Sequence, residues 1–591
     1  MTAQINNREN SRGYQFSPFL LDVAARRLKR GRQPVQLRDK LFDLLLLLIK
    51  NHGQLVTKET LLKELWPDCF VEESNLTVAI SALRKALGES HSEHEYIETV
   101  PKRGYRFVAP VRELREGEVA PSEEEDALIT SLAILPLNNT SNNSDLDYLS
   151  DGITESLINS FSRLPKLRVM ARSTMFRYKG REIDVLEVGR SLQVKAVLTG
   201  RMAHLGEHIV IGLELVNSSN GSQIWGEQYK LKFSNIFDVQ ERIVGEVSHN
   251  LRLRLTSTEQ QQLHVHQTGD AEAYRYYLKG RHFLGKRTPA EIRIAIDYFR
   301  KAIAKDHNYA QAYAGTADCY SLLGSYGVLP EREAFIKAQP IVERALELVP
   351  NLAEAHTSLG YIKVYNFEWS EAESYFQSAI ELQPSYVIAH RWYSLLLMLL
   401  GRFDQARREL EYSLSLSPLS PFINAALGVF FYYVREWDSA ITWCREALEL
   451  EPANQIALAI LGTSYLHKGM HREAIEVHRT LVGLTNDTEA LSVLGYTYSQ
   501  VGEQSEALKI IKRLKELARQ RYVKPCHLAL VYVGLGETEL ALEWLERAFD
   551  DKNDFILAFN LDPRLDVIRS DPRIVSLLQK KAHPGAPINL P

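Results

Sequence analysis

Residues 74–107 hold the side chains best placed to do chemistry, and that chemistry is reversible contact with a grooved polyanion, not bond making or breaking. Across residues 74–87, closed by Gly88, Leu76, Ile80, Leu83 and Leu87 recur at i, i+4, i+7 and i+11. That spacing puts them in one apolar stripe along a helix. The opposite face carries Asn75, Val78, Ala79 and Ala82, with Arg84 and Lys85 at its border. Side chains this small let a helix approach a groove floor, and cations at its edge reach phosphates. A hairpin follows, with residues 96–100 and 105–108 flanking Pro101-Lys102-Arg103-Gly104. Lys102 and Arg103 then sit beside a turn glycine at its tip, which is the shape of a wing.

The elements before this stretch must position it. Residues 14–16, 20–23 and 34–37 read as short strands broken by Pro18 and Gly31. Residues 38–51 form a helix that is apolar almost all round, and therefore buried, ended by Gly53. Thr57 is the expected N-cap of a second helix through Leu65, stopped at Trp66-Pro67. The basic cluster Arg26, Arg27, Lys29, Arg30, Arg32 reads as a solvated hairpin turn in the leading sheet. In such an arrangement the second helix braces on the nucleic-acid backbone while the third enters the major groove.

The order of elements and two strings, Leu83-Arg84-Lys85-Ala86-Leu87 and Thr99-Val100-Pro101-Lys102-Arg103-Gly104-Tyr105-Arg106-Phe107, resemble the OmpR/PhoB-type winged-helix DNA-binding domain. The likeness covers about 100 residues and is nearer the one-component CadC and ToxR branch than true response regulators. Carried over by position, it implies groove contacts from Asn75, Val78, Ala79 and Ala82. It implies phosphate contacts from Ser81, Arg84, Thr57 and Lys58, and minor-groove or phosphate contact from Lys102 or Arg103. Many relatives carry Arg where this chain has Ala82, and a basic residue at Ser81. Recognition is therefore expected to lean on thymine methyls and the wing. Only a dozen residues precede the domain, which argues against a phosphoacceptor receiver, and no spanning segment follows it.

Composition limits the remainder. The chain has 591 residues, enough for three or four domains, with 45% hydrophobic and 24% charged residues, as in an ordinary globular protein. Its apolar runs at 44–49 and 392–400 fall far short of the roughly 18 residues of a membrane span. Residues 1–12, with Arg8, Glu9 and Arg12, do not read as a signal peptide. The net charge is −4, yet residues 13–115 hold 17 Lys and Arg against 13 Asp and Glu. That asymmetry fits a nucleic-acid module on an acidic scaffold. Cys69, Cys319, Cys444 and Cys526 stand far apart and read as thiols of a reducing compartment, so a cytoplasmic location is expected.

Four regions are expected along the chain: the winged helix-turn-helix at 13–113, an acidic linker at 114–127, a small α/β domain at 128–258, and an all-α repeat solenoid at 270–585. The fold class is thus multidomain α+β followed by all-α. Residues 131–137 form a buried strand, 148–164 a helix, 167–170 a strand, 185–192 a helix and 194–202 a strand, while Ile209, Ile211, Leu213 and Leu215 alternate. A strand at 223–231 and a helix at 235–255 complete the layer. The strings Ala133-Ile134-Leu135-Pro136, Ser150-Asp151-Gly152-Ile153-Thr154-Glu155 and Ile224-Trp225-Gly226-Glu227-Gln228-Tyr229 resemble the TolB N-terminal-like domain. Asp151 and Glu155 read as helix-start acids favoured by the dipole.

From residue 270 the sequence is periodic. Pro350, Pro384, Pro418 and Pro452 are spaced 34 residues apart, with Gly360, Ser394, Gly428 and Gly462 in register. That period and small residue are the tetratricopeptide signature, and about eight units are expected, degenerate at 310–352 and after 488. The tail from Leu561-Asp562-Pro563 to Leu578 reads as a polar cap. Tyr361, Tyr365, Trp392, Tyr432, Tyr433 and Trp443 read as repeat core, a minority lining a peptide groove.

Two look-alikes carry no chemistry. Gly280–Lys286 nearly spells a P-loop, but Arg287 stands where the magnesium-binding hydroxyl belongs and no strand precedes it. His91-Ser92-Glu93-His94 lacks further ligands and reads as a solvated loop. No catalytic residue, metal or cofactor is expected. The expected function is sequence-specific transcriptional regulation through double-stranded promoter DNA, with RNA polymerase, a protein or peptide on the repeats, and a homodimer as further partners. The other reading is a repeat scaffold whose winged helix contacts another protein.

Overall fold

The computed structural model describes residues 13–581 apart from 17–18, 24–25, 31–32, 36, 68–70, 72, 90–95, 115–128, 142–145, 182, 206, 252, 254–255, 257–258, 260–267, 326–327, 486 and 552–557. Cys69, the His91–His94 loop and nearly all of the acidic linker lie outside the described residues. Two compact units result, Met1–Leu128 and Ile129–Pro591.

The first unit opens with β1 (Gly13–Phe16), β2 (Phe19–Asp22), β3 (Arg27–Arg30) and β4 (Gln33–Val35). Then come α1 (Asp39–Lys50), β5 (Leu55–Thr57), α2 (Lys58–Leu65) and α3 (Glu73–Leu87), followed by β6 (Ile97–Val100), β7 (Gly104–Phe107) and β8 (Arg112–Leu114). Two sheets form, in the orders β4-β3-β2-β1-β8 and β5-β7-β6. Most of the basic cluster is strand β3, not a turn. Leu28 points into the core while Arg27 and Lys29 face outward, the two-residue alternation of a half-buried strand. Arg26 turns back, its guanidinium 4.7 Å from the Phe42 ring centre and 2.6 Å from Asp43 Oδ1. Phe16 meets Phe107 edge-on at 5.2 Å, joining the leading sheet to the wing strands, and stacks on Phe19 at 5.4 Å.

The second unit begins with a mixed sheet whose strands are β9 (Ser131–Ile134), β10 (Asn138–Asn139), β11 (Arg168–Val169), β12 (Ala196–Leu205), β13 (His208–Asn217) and β14 (Gln223–Leu231). Their order is β11-β9-β12-β13-β14, with β10 beside β12. Strands β11, β9 and β12 run parallel, and β13 and β14 continue antiparallel. The closing helix stops at Asn250, short of residue 255.

Helix pairs follow in succession from Ala271–Gly285 with Pro289–Lys305 to Pro525–Leu535 with Thr538–Asp551, eight pairs among the described residues. The in-register small residue has a steric cause. A Cβ on Gly280 would stand 2.6 Å from the Phe299 ring of the paired helix, and one on Gly360 3.0 Å from Phe376. The glycine of the apparent P-loop is therefore a packing residue of the first repeat.

Asp151 and Glu155 are not helix-start acids. The helix begins at Asp147, and both carboxylates are buried within it. Glu155 accepts from Arg172 Nε at 2.9 Å and from Arg281 Nε of the first repeat helix at 2.9 Å. Burial raises the Glu155 carboxyl, but the two guanidinium groups outweigh it and hold the group below its ordinary value. Asp151 takes Lys179 at 2.5 Å and His282 Nδ1 at 3.2 Å. The α/β layer also docks on turns between repeats, where Ala171 N donates to Leu416 O at 2.9 Å and Arg177 Nη2 to Leu450 O at 2.9 Å.

The tail is not a polar cap either. Leu561, Leu565 and Ile568 are buried, Tyr432 Oη donates to Asp562 at 3.3 Å, and Arg435 pairs with Asp566 at 3.0 Å. The segment crosses back to the first helix of the fifth pair (Pro421–Tyr433), where Leu561 joins the core, while Leu565 and Ile568 fill the core of the later repeats.

Candidate nucleic-acid interface

Leu76, Ile80, Leu83 and Leu87 are each at most 2% exposed, so the apolar stripe fixes how α3 is rotated. The rotation turns Asn75, Val78, Ser81, Ala82 and Lys85 to solvent, and Val78 is 67% exposed. Ala79 is half-buried at the flank, packed against the core. Gly88 at φ +81° ends the helix.

The wing is set by strand pairing. In β7, Gly104 pairs with Val100 of β6 on one side and Thr57 of β5 on the other. A Cβ at Gly104 would lie 2.0 Å from Val56 O, so only glycine allows that approach. Lys102 occupies the left-handed region at φ +62°, and Lys102 and Arg103 are both exposed at the tip. Lys58 N donates to Arg103 O at 3.1 Å, which brings the start of α2 beside the wing tip. Thr57 caps α2 by accepting from Thr60 N at 3.2 Å. Four residues read as backbone contacts, Thr57, Lys58, Lys102 and Arg103, are thereby neighbours.

Two cations are committed within the fold. Lys58 Nζ is 2.8 Å from Glu73 Oε2, a pair that raises the ammonium above its ordinary value and ties α2 to α3. Arg84 is the larger correction. Its Nη2 donates to Ile97 O at 2.6 Å and Thr99 Oγ1 at 2.8 Å, and its Nε is 3.3 Å from Glu89 Oε2. Glu89 in turn accepts from the backbone N–H groups of Tyr96 and Ile97, the latter at 2.9 Å. Arg84 therefore positions the wing against α3 instead of reaching outward for phosphate. No local pattern marks Glu89 as its partner, because the contact depends on where β6 returns.

Residues 32–107 match the family described as "Transcriptional regulatory protein, C terminal". The amino-terminal unit is an OmpR/PhoB-type winged helix. Beyond the winged helix, residues 128–246 match "HilA/YgeH-like transcriptional regulator, second domain", over the stretch that resembled a TolB-like domain. Residues 357–421 and 526–547 match tetratricopeptide repeat models. The Transcriptional regulator HilA of Salmonella typhimurium is 25% identical over 568 residues, 95% of this chain and 98% of its own length. The Putative adenylate cyclase 3 of Rhizobium meliloti is 28% identical over 244 residues, 41% of this chain and 34% of that protein. The solved DNA-binding domain of Escherichia coli CadC covers 18% of this chain and 98% of its own, at 28% identity and a TM-score of 0.17.

Proposed function

We infer that this chain is a one-component transcriptional regulator that binds promoter DNA through its winged helix and receives its signal through the α/β and repeat regions. The observation that carries this is the outward face of α3: Asn75, Val78, Ser81, Ala82 and Lys85 are exposed and small or polar, with Val78 67% exposed to meet thymine methyls. Lys102, Arg103 and the start of α2 supply the backbone contacts, and Arg84 holds the wing in place. Its work is DNA binding and not catalysis. RNA polymerase and a second copy of the chain are its proposed partners at the promoter, in the cytoplasm.

The test is to sequence DNA recovered with the intact protein and with its Ala82→Glu variant. Ala82 is exposed, so the change leaves the core untouched while setting a carboxylate against the acceptor-rich groove floor. Enriched sites should vanish with the variant. Sites retained at full strength would mean that α3 does not read bases, and no enrichment with the intact protein would favour the winged helix as a protein contact.

A further inference from the structure

Arg391 lies fifth in the helix Val387–Leu399, the first helix of the fourth pair. The residue is 7% exposed, and its Nε and Nη1 are buried without a hydrogen-bond partner. The guanidinium carbon lies 5.1 Å from the Trp392 ring centre and 5.4 Å from that of Phe422. The Tyr361 ring stacks obliquely on Trp392 at 4.2 Å. Arg569, the other buried arginine described in this unit, has Asp566 beside it, and even the half-buried Arg281 and Arg564 have Glu155 and Asp562. Burial pulls the Arg391 guanidinium down to about 10, and among the described residues no carboxylate pairs with it.

A cation taken out of water without a counter-ion is costly, and aromatic faces recover only part of that cost. An ion kept in that condition marks a place where an anion arrives. We propose that Arg391, walled by Trp392, Phe422 and Tyr361, binds the carboxylate of a small organic acid whose apolar body lies against those rings. The size follows from the surroundings. The three rings are themselves half-buried, and the neighbouring first helix at Tyr432 is already met by the chain's own Asp562. Little length remains for an extended peptide. The single charge follows from the donor set, since one guanidinium among rings lacks the further donors a phosphate dianion needs. The proposal deepens the signal-receiving half of the function inferred above.

The experiment is calorimetric titration of the full chain and its Arg391→Met variant with benzoate, phenylacetate and hexanoate, alongside benzamide and inorganic phosphate. Thermal unfolding of both proteins is measured without ligand. At least one carboxylate should bind the natural chain at least roughly 10-fold more tightly than the variant, with benzamide and phosphate not bound. The variant alone should unfold at no lower temperature, because a buried charge has gone. A variant that unfolds earlier would make Arg391 a structural residue and overturn the proposal. Equal carboxylate binding by both proteins, no carboxylate binding, or phosphate or benzamide bound as tightly would overturn it too. Promoter binding by the ligand-free variant is read separately, so failure here is distinguishable from failure of the DNA-binding reading.

Discussion

Replacing Lys102 and Arg103 together by Ala perturbs DNA affinity without touching the fold of the winged helix. Both side chains are exposed at the tip, and what anchors the turn is backbone: Arg103 O accepts from Lys58 N at 3.1 Å, and Gly104 pairs with Thr57. The left-handed φ of Lys102 strains Ala about as much as Lys, so stability should hardly move. Each phosphate a cation neutralises contributes about 0.9 to the fall of log K with log salt. Losing two contacts flattens that slope by about 1.8. Between about 50 and 200 mM salt, the natural chain should therefore lose about 12-fold more affinity than the variant. Gel-shift titrations of the intact protein at four salt concentrations measure it. A slope within about 0.3 of the natural one would remove the wing from the contacts and refute the reasoning.

Arg84→Ala should act through stability: it strands the Glu89 carboxylate and the Ile97 carbonyl, costing about 1–3 kcal/mol in denaturant unfolding of the amino-terminal unit, whereas a phosphate ligand would leave stability unchanged and alter only the salt slope. Gly104→Ala should lose DNA binding and at least about 2 kcal/mol, since its Cβ must displace the β5 backbone at Val56; unfolding curves and gel shifts report both. Burial pushes the Asp318 carboxyl up to about 6 from 3.8, so its folded pKa lies above its unfolded one. That contribution is fully present below about pH 4 and is lost as pH rises through 6. Asp318→Asn should therefore gain stability over the natural chain between pH 4 and 6, and thermal unfolding across that range would expose a flat difference as a contradiction. Glu155→Gln should leave Arg172 and Arg281 short of a counter-charge, loosening the α/β layer from the first repeat so that limited proteolysis between them speeds up.

Local rules made much of this legible in the chain itself. The 3.6-residue period of Leu76, Ile80, Leu83 and Leu87 fixed α3 and the face it turns outward, the Thr57 cap fixed where α2 starts, and the 34-residue spacing of prolines and small residues laid out the solenoid. Each depends on neighbours within a turn or a helix pair, so each is written in consecutive residues. What only the tertiary structure decided lies where partners come from far along the chain. Three-residue strands such as β5 and β8 have too little pattern of their own and exist because β7 and β1 present open edges. Arg84 looks like a phosphate ligand until β6 returns beside it, and Glu155 looks like a dipole acid until Arg281 arrives from 126 residues away. The tail likewise reads as polar until Leu561 and Leu565 meet the core. A charge in a sequence declares what it is able to pair with; the fold alone sets which partner comes within 3 Å and whether water is there to compete.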